Sequence, residues 1–536
     1  MNITKNSWFL GITSGLLFAI SWPTWGHPIF LFFAFIPLFI IEENISLDGN
    51  KRKKLRVWVY SYLSFLIWNI LTTWWLINAS FIGMLIANIF NSLFFSLLFL
   101  CFHIIKKHLP IKGSYIFFIS IWICFEKLHL TWDITWPWLN LGNGFSEHIY
   151  WVQWYEYTGT FGGTLWILIL NIGFFECWKL IKKDFSKSFI IRKLLSWFTL
   201  IVIPIIFSLL IYINIPISNE SINVLVVQPN IDPYKEKYNF SNLDFVEKLK
   251  EQILDFENEK IDFILAPETY FASGYGEELK NFQNTKLHKE IQNLLSKFQE
   301  TQLISGIQFY NIYTNMTSTS TSNKIRENLW VDFYNSAISI SYNKNLMSYH
   351  KSKLVPGVET LPYNEFLKPI FGNLLIDMGG TISTRASQNN REIFKHQTKK
   401  INAAPIICYE SIYGDFVSEY IRLGADFLAV ISNDGWWGNT PGHKQLISLT
   451  RLRAIENRRS IARSANTGIS GFINHKGEYI KTIPYDTKGV LKGKIPLIKS
   501  ETFYTKYGDF IARISILTSI LYFLVALSGI YRPKFN

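Results

Sequence analysis

At 536 residues, 49% hydrophobic, 17% aromatic and only 17% charged, the chain is too apolar and too poor in charge for an ordinary soluble enzyme of this size, and it reads as a membrane protein. The net charge of +13, from 53 basic and 40 acidic residues, would suit a nucleic-acid binder. The basic residues gather instead in alternate segments between apolar runs, so no nucleic-acid partner is expected.

Apolar runs near 8–22, 28–41, 57–78, 82–105, 114–128, 161–181, 197–216 and 510–530 mostly approach the ~20 residues that cross a bilayer core, and they predict about eight transmembrane helices. Lys51, Arg52, Lys53, Lys54 and Arg56 follow the second run; Lys106, Lys107 and Lys112 the fourth; Lys182, Lys183, Lys187, Arg192 and Lys193 the sixth. Residues 128–160 contain no Lys or Arg. The positive-inside rule then places both termini in the cytoplasm and residues 128–160 outside, with the long block from 217 to 507. The expected organisation is a membrane domain over 1–216, an external domain over 217–507, and a last span with a short basic tail over 508–536. The first run is followed by Pro23 and a second apolar run without a small-residue cleavage site, so no cleavable signal is expected.

Trp132, Trp136, Trp138, Trp151 and Trp154 suit an interfacial aromatic belt better than an acyl-chain entrance, and Glu126 and Glu176, near span ends, are expected to be interfacial rather than proton relays.

In the external block, apolar runs ending in polar residues alternate with helix-like stretches, the pattern of an α/β layer architecture. Strands are predicted at Ile222 to Val227, Ile261 to Ala266, Ala403 to Ile407 and Phe427 to Ile431, helices at Leu243 to Glu257 and Ile412 to Leu423. Ser336 to Tyr342 and Leu346 to His350 flank Asn343-Lys344-Asn345 as arms of a hairpin. Thr314 to Asn323, rich in Thr and Ser, reads as a surface loop. No Gly-rich phosphate loop, CxxC pair or HExxH helix is present, so neither a metal nor another cofactor is expected.

Chemistry concentrates at the ends of those strands. PIICYES, Pro405 to Ser411, carries the one cysteine of the external block, so no disulfide can form within that block. A strand delivers Cys408 to a turn that leads into a helix, whose N-terminus favours a thiolate and whose N–H groups can receive an oxyanion. Taken alone, a cysteine in an apolar strand is more often a small core residue. ILAPETYF sets Glu268 after a strand and a proline, a place where a carboxylate is usually just solvated. YHKSKLVPGVETLP sets Lys351 and Lys353 before a turn bearing Glu359. Together, in this order, they supply a base, a cation and a sulfur nucleophile.

With APE, YxKxxLVP and ICYE around those residues, the chain resembles the nitrilase superfamily, and within it the apolipoprotein N-acyltransferase family of the bacterial inner membrane. VVQPNI (Val226 to Ile231), PWLNLG (Pro137 to Gly142), SNDGWWG (Ser432 to Gly438), RAIENRRSIARSANTG (Arg453 to Gly468) and YGDF (Tyr507 to Phe510) extend the similarity over nearly the whole chain. The resemblance implies an α-β-β-α sandwich in the periplasm joined to a multi-pass membrane domain, with no cofactor. It implies Glu268 as general base, Lys351 as catalytic lysine and Cys408 as nucleophile. Glu359, Tyr409 and Glu410 are implied as supporting residues, and the GWWG loop suggests Trp436 and Trp437 in substrate binding. The implied donor is a membrane phospholipid, and the implied acceptor is the N-terminal amine of a diacylglyceryl-cysteine apolipoprotein. Two positions depart from the family pattern: LVPGVE replaces LVPFGE, and Leu446 stands where relatives often have histidine. A membrane-tethered amidase, with water resolving the thioester, is one alternative. A transporter with an external binding domain is another, disfavoured by the scarcity of ionisable residues in mid-span, and a catalytically inactive lipid-binding relative is disfavoured by the intact trio.

Overall fold

The computed structural model describes residues 6–49, 51–216, 218–234, 236–314, 319–363 and 384–530. The expected basic tail from Tyr531 onward and residues 315–318 of the expected Thr- and Ser-rich loop lie outside them. The chain divides into two compact units, one of Met1–Ile77, Phe81–Ile215 and Tyr507–Asn536, the other of Asn78–Ser80 and Pro216–Lys506.

The first unit is helical. Among the described residues, Pro28–Leu47, Phe81–His108, Thr160–Lys182, Lys187–Asn214 and Phe510–Ser528 are long and apolar enough to cross a membrane. The expected count of about eight is not confirmed. Helix Ser7–Ala19 has 13 residues, about 20 Å at the α-helical rise against a core of ~30 Å. Lys53–Thr73 opens on Lys53, Lys54 and Arg56, and Ile111–Leu128 carries Lys112, Glu126 and Lys127.

Glu126 is buried inside this unit: its carboxylate accepts from Leu141 N (2.7 Å), Thr164 Oγ1 (2.7 Å) and Trp122 Nε1 (3.2 Å). Those donors replace the water it lacks and pin the PWLNLG segment to two helices. Trp138 is buried too, stacked on Trp136 and packed against Trp75.

The second unit is an α-β-β-α sandwich. In one sheet, strand Ser221–Gln228 runs parallel to Phe263–Leu265, and that strand parallel to Gln302–Thr314. Gln302–Thr314 pairs antiparallel with the long Leu329–Ser341, which turns back through Asn343-Lys344-Asn345 into Met347–His350, with Ser336 opposite His350. The central strands of the other sheet, Asn402–Ile407, Phe427–Ser432 and Ile461–Ala465, are parallel neighbours. Asn402–Ile407 and Phe427–Ser432 read as mainly apolar runs because both faces are covered, whereas Ile461–Ala465 carries the buried Arg463 and Ser464. Helices Asn242–Ile253 and Lys286–Leu295 lay Phe245, Leu249, Ile253, Leu287 and Ile291 on the outer face of the first sheet against Leu225 and Val227. Gly414–Arg422 and Pro441–Asn457 belong with the second sheet. Between the sheets, Phe263 meets Phe427 at 4.9 Å between ring centroids, and Ser464 Oγ donates to Val227 O.

Candidate active site

Three strand ends converge. Phe263–Leu265 leads through Ala266 and Pro267 to Glu268; Met347–His350 ends at Lys351; Asn402–Ile407 ends at Cys408. All three side chains are buried, Lys351 to 1% exposure. Lys351 Nζ lies 3.0 Å from Glu268 Oε1 and 2.9 Å from Glu359 Oε2. Burial works against the Lys351 ammonium, yet Glu268 and Glu359 together hold its pKa well above the ordinary lysine value. For Glu359, burial is likewise overcome, by Lys351 and Arg385, and its carboxyl sits below the usual range.

Cys408 adopts φ +51°, a left-handed backbone that stores ~1–3 kcal/mol in a non-glycine residue. It opens a single 3-10 turn, Cys408–Ile412, and the α-helix starts only at Gly414. The expected α-helical N-terminus is therefore absent at the sulfur, and the thiol is not activated at rest. Burial first, then the Glu268 carboxylate, push it above the ordinary cysteine value, while Lys351 opposes them. The proton therefore rests on sulfur, within electrostatic reach of both Glu268 and Lys351.

Glu410 explains how the turn keeps its shape. Fully buried, it accepts from Ile407 N (2.9 Å), Tyr349 Oη (2.7 Å) and Ser352 N (2.7 Å), so one carboxylate joins the cysteine turn to the loop that presents Lys351. Burial pushes its pKa up and these donors oppose it. Tyr409 is buried, edge-on to Tyr413 at 5.3 Å.

Two family models match the chain: the apolipoprotein N-acyltransferase N-terminal domain over residues 14–173 and the carbon-nitrogen hydrolase over residues 223–503. The chain belongs to the carbon-nitrogen hydrolases, in the apolipoprotein N-acyltransferase family. It is 27% identical to apolipoprotein N-acyltransferase of Chlorobaculum tepidum, covering 96% of this chain and 95% of that one. It is 25% identical to the Rickettsia typhi protein of the same name, over 96% of each. Among solved structures, an amidase from Nesterenkonia sp. is 12% identical, covering 56% of this chain and 97% of that one, with a TM-score of 0.37.

The departures from the family pattern are accommodated locally. In LVPGVE, Gly357 takes φ +78°, a conformation suited to glycine, and its N–H donates to Thr360 O. The turn closes with Glu359 N donating to Val355 O and Val355 N to Glu359 Oε2, which aims the carboxylate at Lys351. Leu446 is buried within helix Pro441–Asn457. Trp436 packs edge-on against Tyr234 at 5.1 Å, and Trp437 closes the same short turn, its carbonyl accepting from Thr440 Oγ1. This loop also reaches the trio through its backbone: Asn433 N donates to Glu268 Oε2 at 3.1 Å.

Sequence reasoning missed four polar residues of the site. Asn335 donates from Nδ2 to Glu268 Oε1 (2.8 Å) and Glu359 Oε1 (2.9 Å). Asn433 contributes the backbone N–H just described. Arg385 lends positive charge to Glu359, and Lys237 donates to Thr269 Oγ1 (2.7 Å) beside Glu268. Asn335 sits in strand Leu329–Ser341 beside other polar residues, Asp332 and Ser336, which masks it; Arg385 opens the two-residue strand Arg385–Ala386, and Asn433 and Lys237 lie at turns where polar residues are ordinary.

Proposed function

We propose that this chain completes lipoprotein maturation. It moves an acyl chain from a membrane phospholipid to the N-terminal amine of a diacylglyceryl-cysteine apolipoprotein, through a thioester on Cys408. The observation that carries the mechanism is the buried Lys351 held by two carboxylates at the strand ends that also deliver Cys408. The names of the full-length relatives support the substrate class.

In the first half-reaction Glu268 takes the Cys408 proton and the sulfur attacks an ester carbonyl. The oxyanion is met by Lys351 and the N–H of Tyr409, and the lysophospholipid alkoxide leaves with the proton from Glu268. In the second, the acceptor amine attacks the thioester, Glu268 takes the amine proton, and the thiol leaves reprotonated. Both substrates are anchored in the bilayer, in keeping with apolar helices on the same chain. The enzyme sits in the bacterial inner membrane with both termini cytoplasmic and residues 217–507 periplasmic.

Mass measurement of the intact protein purified from membranes tests this. A fatty-acyl increment on Cys408 that passes to an added diacylglyceryl lipopeptide is expected. Release of free fatty acid at the same rate with and without lipopeptide would mean that water is the acceptor, and the acyltransferase reading would fall.

A further inference from the structure

We propose that Lys237 is a substrate-positioning residue of this site, holding the phosphate of the phospholipid acyl donor beside Glu268. The inference rests on the phospholipid-donor reading above. Lys237 opens the short turn Lys237–Asn239 that follows the first strand of the sandwich. Its half-buried ammonium donates to Thr269 Oγ1 at 2.7 Å, and Thr269 is the residue directly after Glu268, held at φ +50°. Lys237, Glu268, Thr269, Asn466 and Ile231 line one cleft, so the ammonium and the catalytic carboxylate share the same opening.

Among the described residues, the hydrogen-bond partner of this ammonium is a neutral hydroxyl, which engages one of its three donors. A cation withdrawn from water beside a neutral partner is stabilised when an anion arrives. Burial lowers Lys237 to about 8; Glu268 opposes that shift and Arg385 adds to it. In a glycerophospholipid the phosphate lies one glycerol away from the ester being cleaved, and Glu268, which lines this cleft, also acts electrostatically on Cys408.

The test compares acyl-enzyme formation in the full-length protein and in Lys237→Gln and Lys237→Arg, using phosphatidylglycerol in mixed micelles and the p-nitrophenyl ester of the same fatty acid, which has no phosphate. Lys237→Gln is expected to slow acylation from the phospholipid on the order of 10- to 100-fold, the factor a charge-assisted hydrogen bond carries. It should slow acylation from the p-nitrophenyl ester far less than acylation from the phospholipid, and Lys237→Arg should restore most of the phospholipid rate. Added inorganic phosphate separates two sources of the anion: without competition the subsite takes lipid phosphate, as proposed, whereas competition that vanishes in Lys237→Gln means that it takes the free ion, and the lipid assignment falls. Equal slowing with both donors, or with neither, overturns the proposal. If the unaltered protein acylates from the p-nitrophenyl ester but not from phosphatidylglycerol, the donor reading itself fails, a result distinct from an indifferent Lys237→Gln.

Discussion

Asn335 and Lys351 bind the same two carboxylate oxygens. Asn335 Nδ2 and Lys351 Nζ both donate to Glu268 Oε1, at 2.8 and 3.0 Å, and to Glu359 Oε1, at 2.9 and 3.1 Å. The two residues are joined in turn, since Lys351 N donates to Asn335 O at 2.8 Å. Two carboxylates this close repel, and the pair of donors between them offsets that repulsion. Asn335→Leu is therefore expected to slow acyl-enzyme formation by about 10-fold or more, and Asn335→Asp to slow it further by adding a third negative charge. Single-turnover acylation measures both; an Asp variant faster than the Leu variant would show that charge balance is not what Asn335 provides.

Inside the trio the expected losses differ in kind. Cys408→Ala abolishes the acyl-enzyme. Lys351→Ala and Glu268→Ala slow its formation by about 10²–10³, the range for losing one electrostatic donor or base. Acylation rates resolved by intact mass check this, and a normal rate in Lys351→Ala would shift the oxyanion role to another donor.

The thiol should respond to pH in a defined direction. Burial and Glu268 raise the pKa of Cys408, so at neutral pH a small alkylating reagent should label it more slowly than a free cysteine, and labelling should accelerate as pH rises above the ordinary thiol range. Glu268→Gln removes a negative neighbour and should move that profile to lower pH. Peptide mapping after timed alkylation across the pH range gives the result. A Cys408 that labels faster than free thiol at neutral pH would mean that the resting site already holds a thiolate.

Two glycines near the carboxylates predict opposite outcomes. A Cβ on Gly306 would lie 2.3 Å from Thr269 N, 2.5 Å from Pro267 O and 2.6 Å from Glu268 Cα, against backbone that cannot swing aside. Gly306→Ala should therefore displace Glu268 and remove acylation even where the protein still folds. A Cβ on Gly357 meets nothing within 4 Å, so Gly357→Ala incurs only the left-handed backbone penalty of ~1 kcal/mol and should lower the acylation rate modestly. Thermal midpoints and acylation rates of the two variants, measured together, distinguish clash from strain.

Most of the sandwich was legible in the sequence because its signals are local. Apolar runs ending in Gln228, Glu268, Lys351 and Cys408 are strands that stop where the chain becomes polar, and Asn343-Lys344-Asn345 marks the hairpin that brings Ser336 opposite His350. The order of Glu268, Lys351 and Cys408 within recognisable motifs was enough to name them as a set. Three matters needed the tertiary structure. Proton ownership at Cys408 follows from burial and from Glu268, which comes from the turn after a distant strand. Glu126 has no local sign of burial, because its donors come from residues 4 to 38 positions away in the chain. The ring of Asn335, Asn433, Arg385 and Lys237 around the carboxylates is assembled from segments far apart in sequence. Periodicity and turn chemistry act between near neighbours and can be read along the chain. Desolvation and Coulomb interactions act across space, so which carboxylate faces which cation is decided only when strands distant in sequence are brought side by side, and what faces the Cys408 thiol only when the second sheet packs on the first.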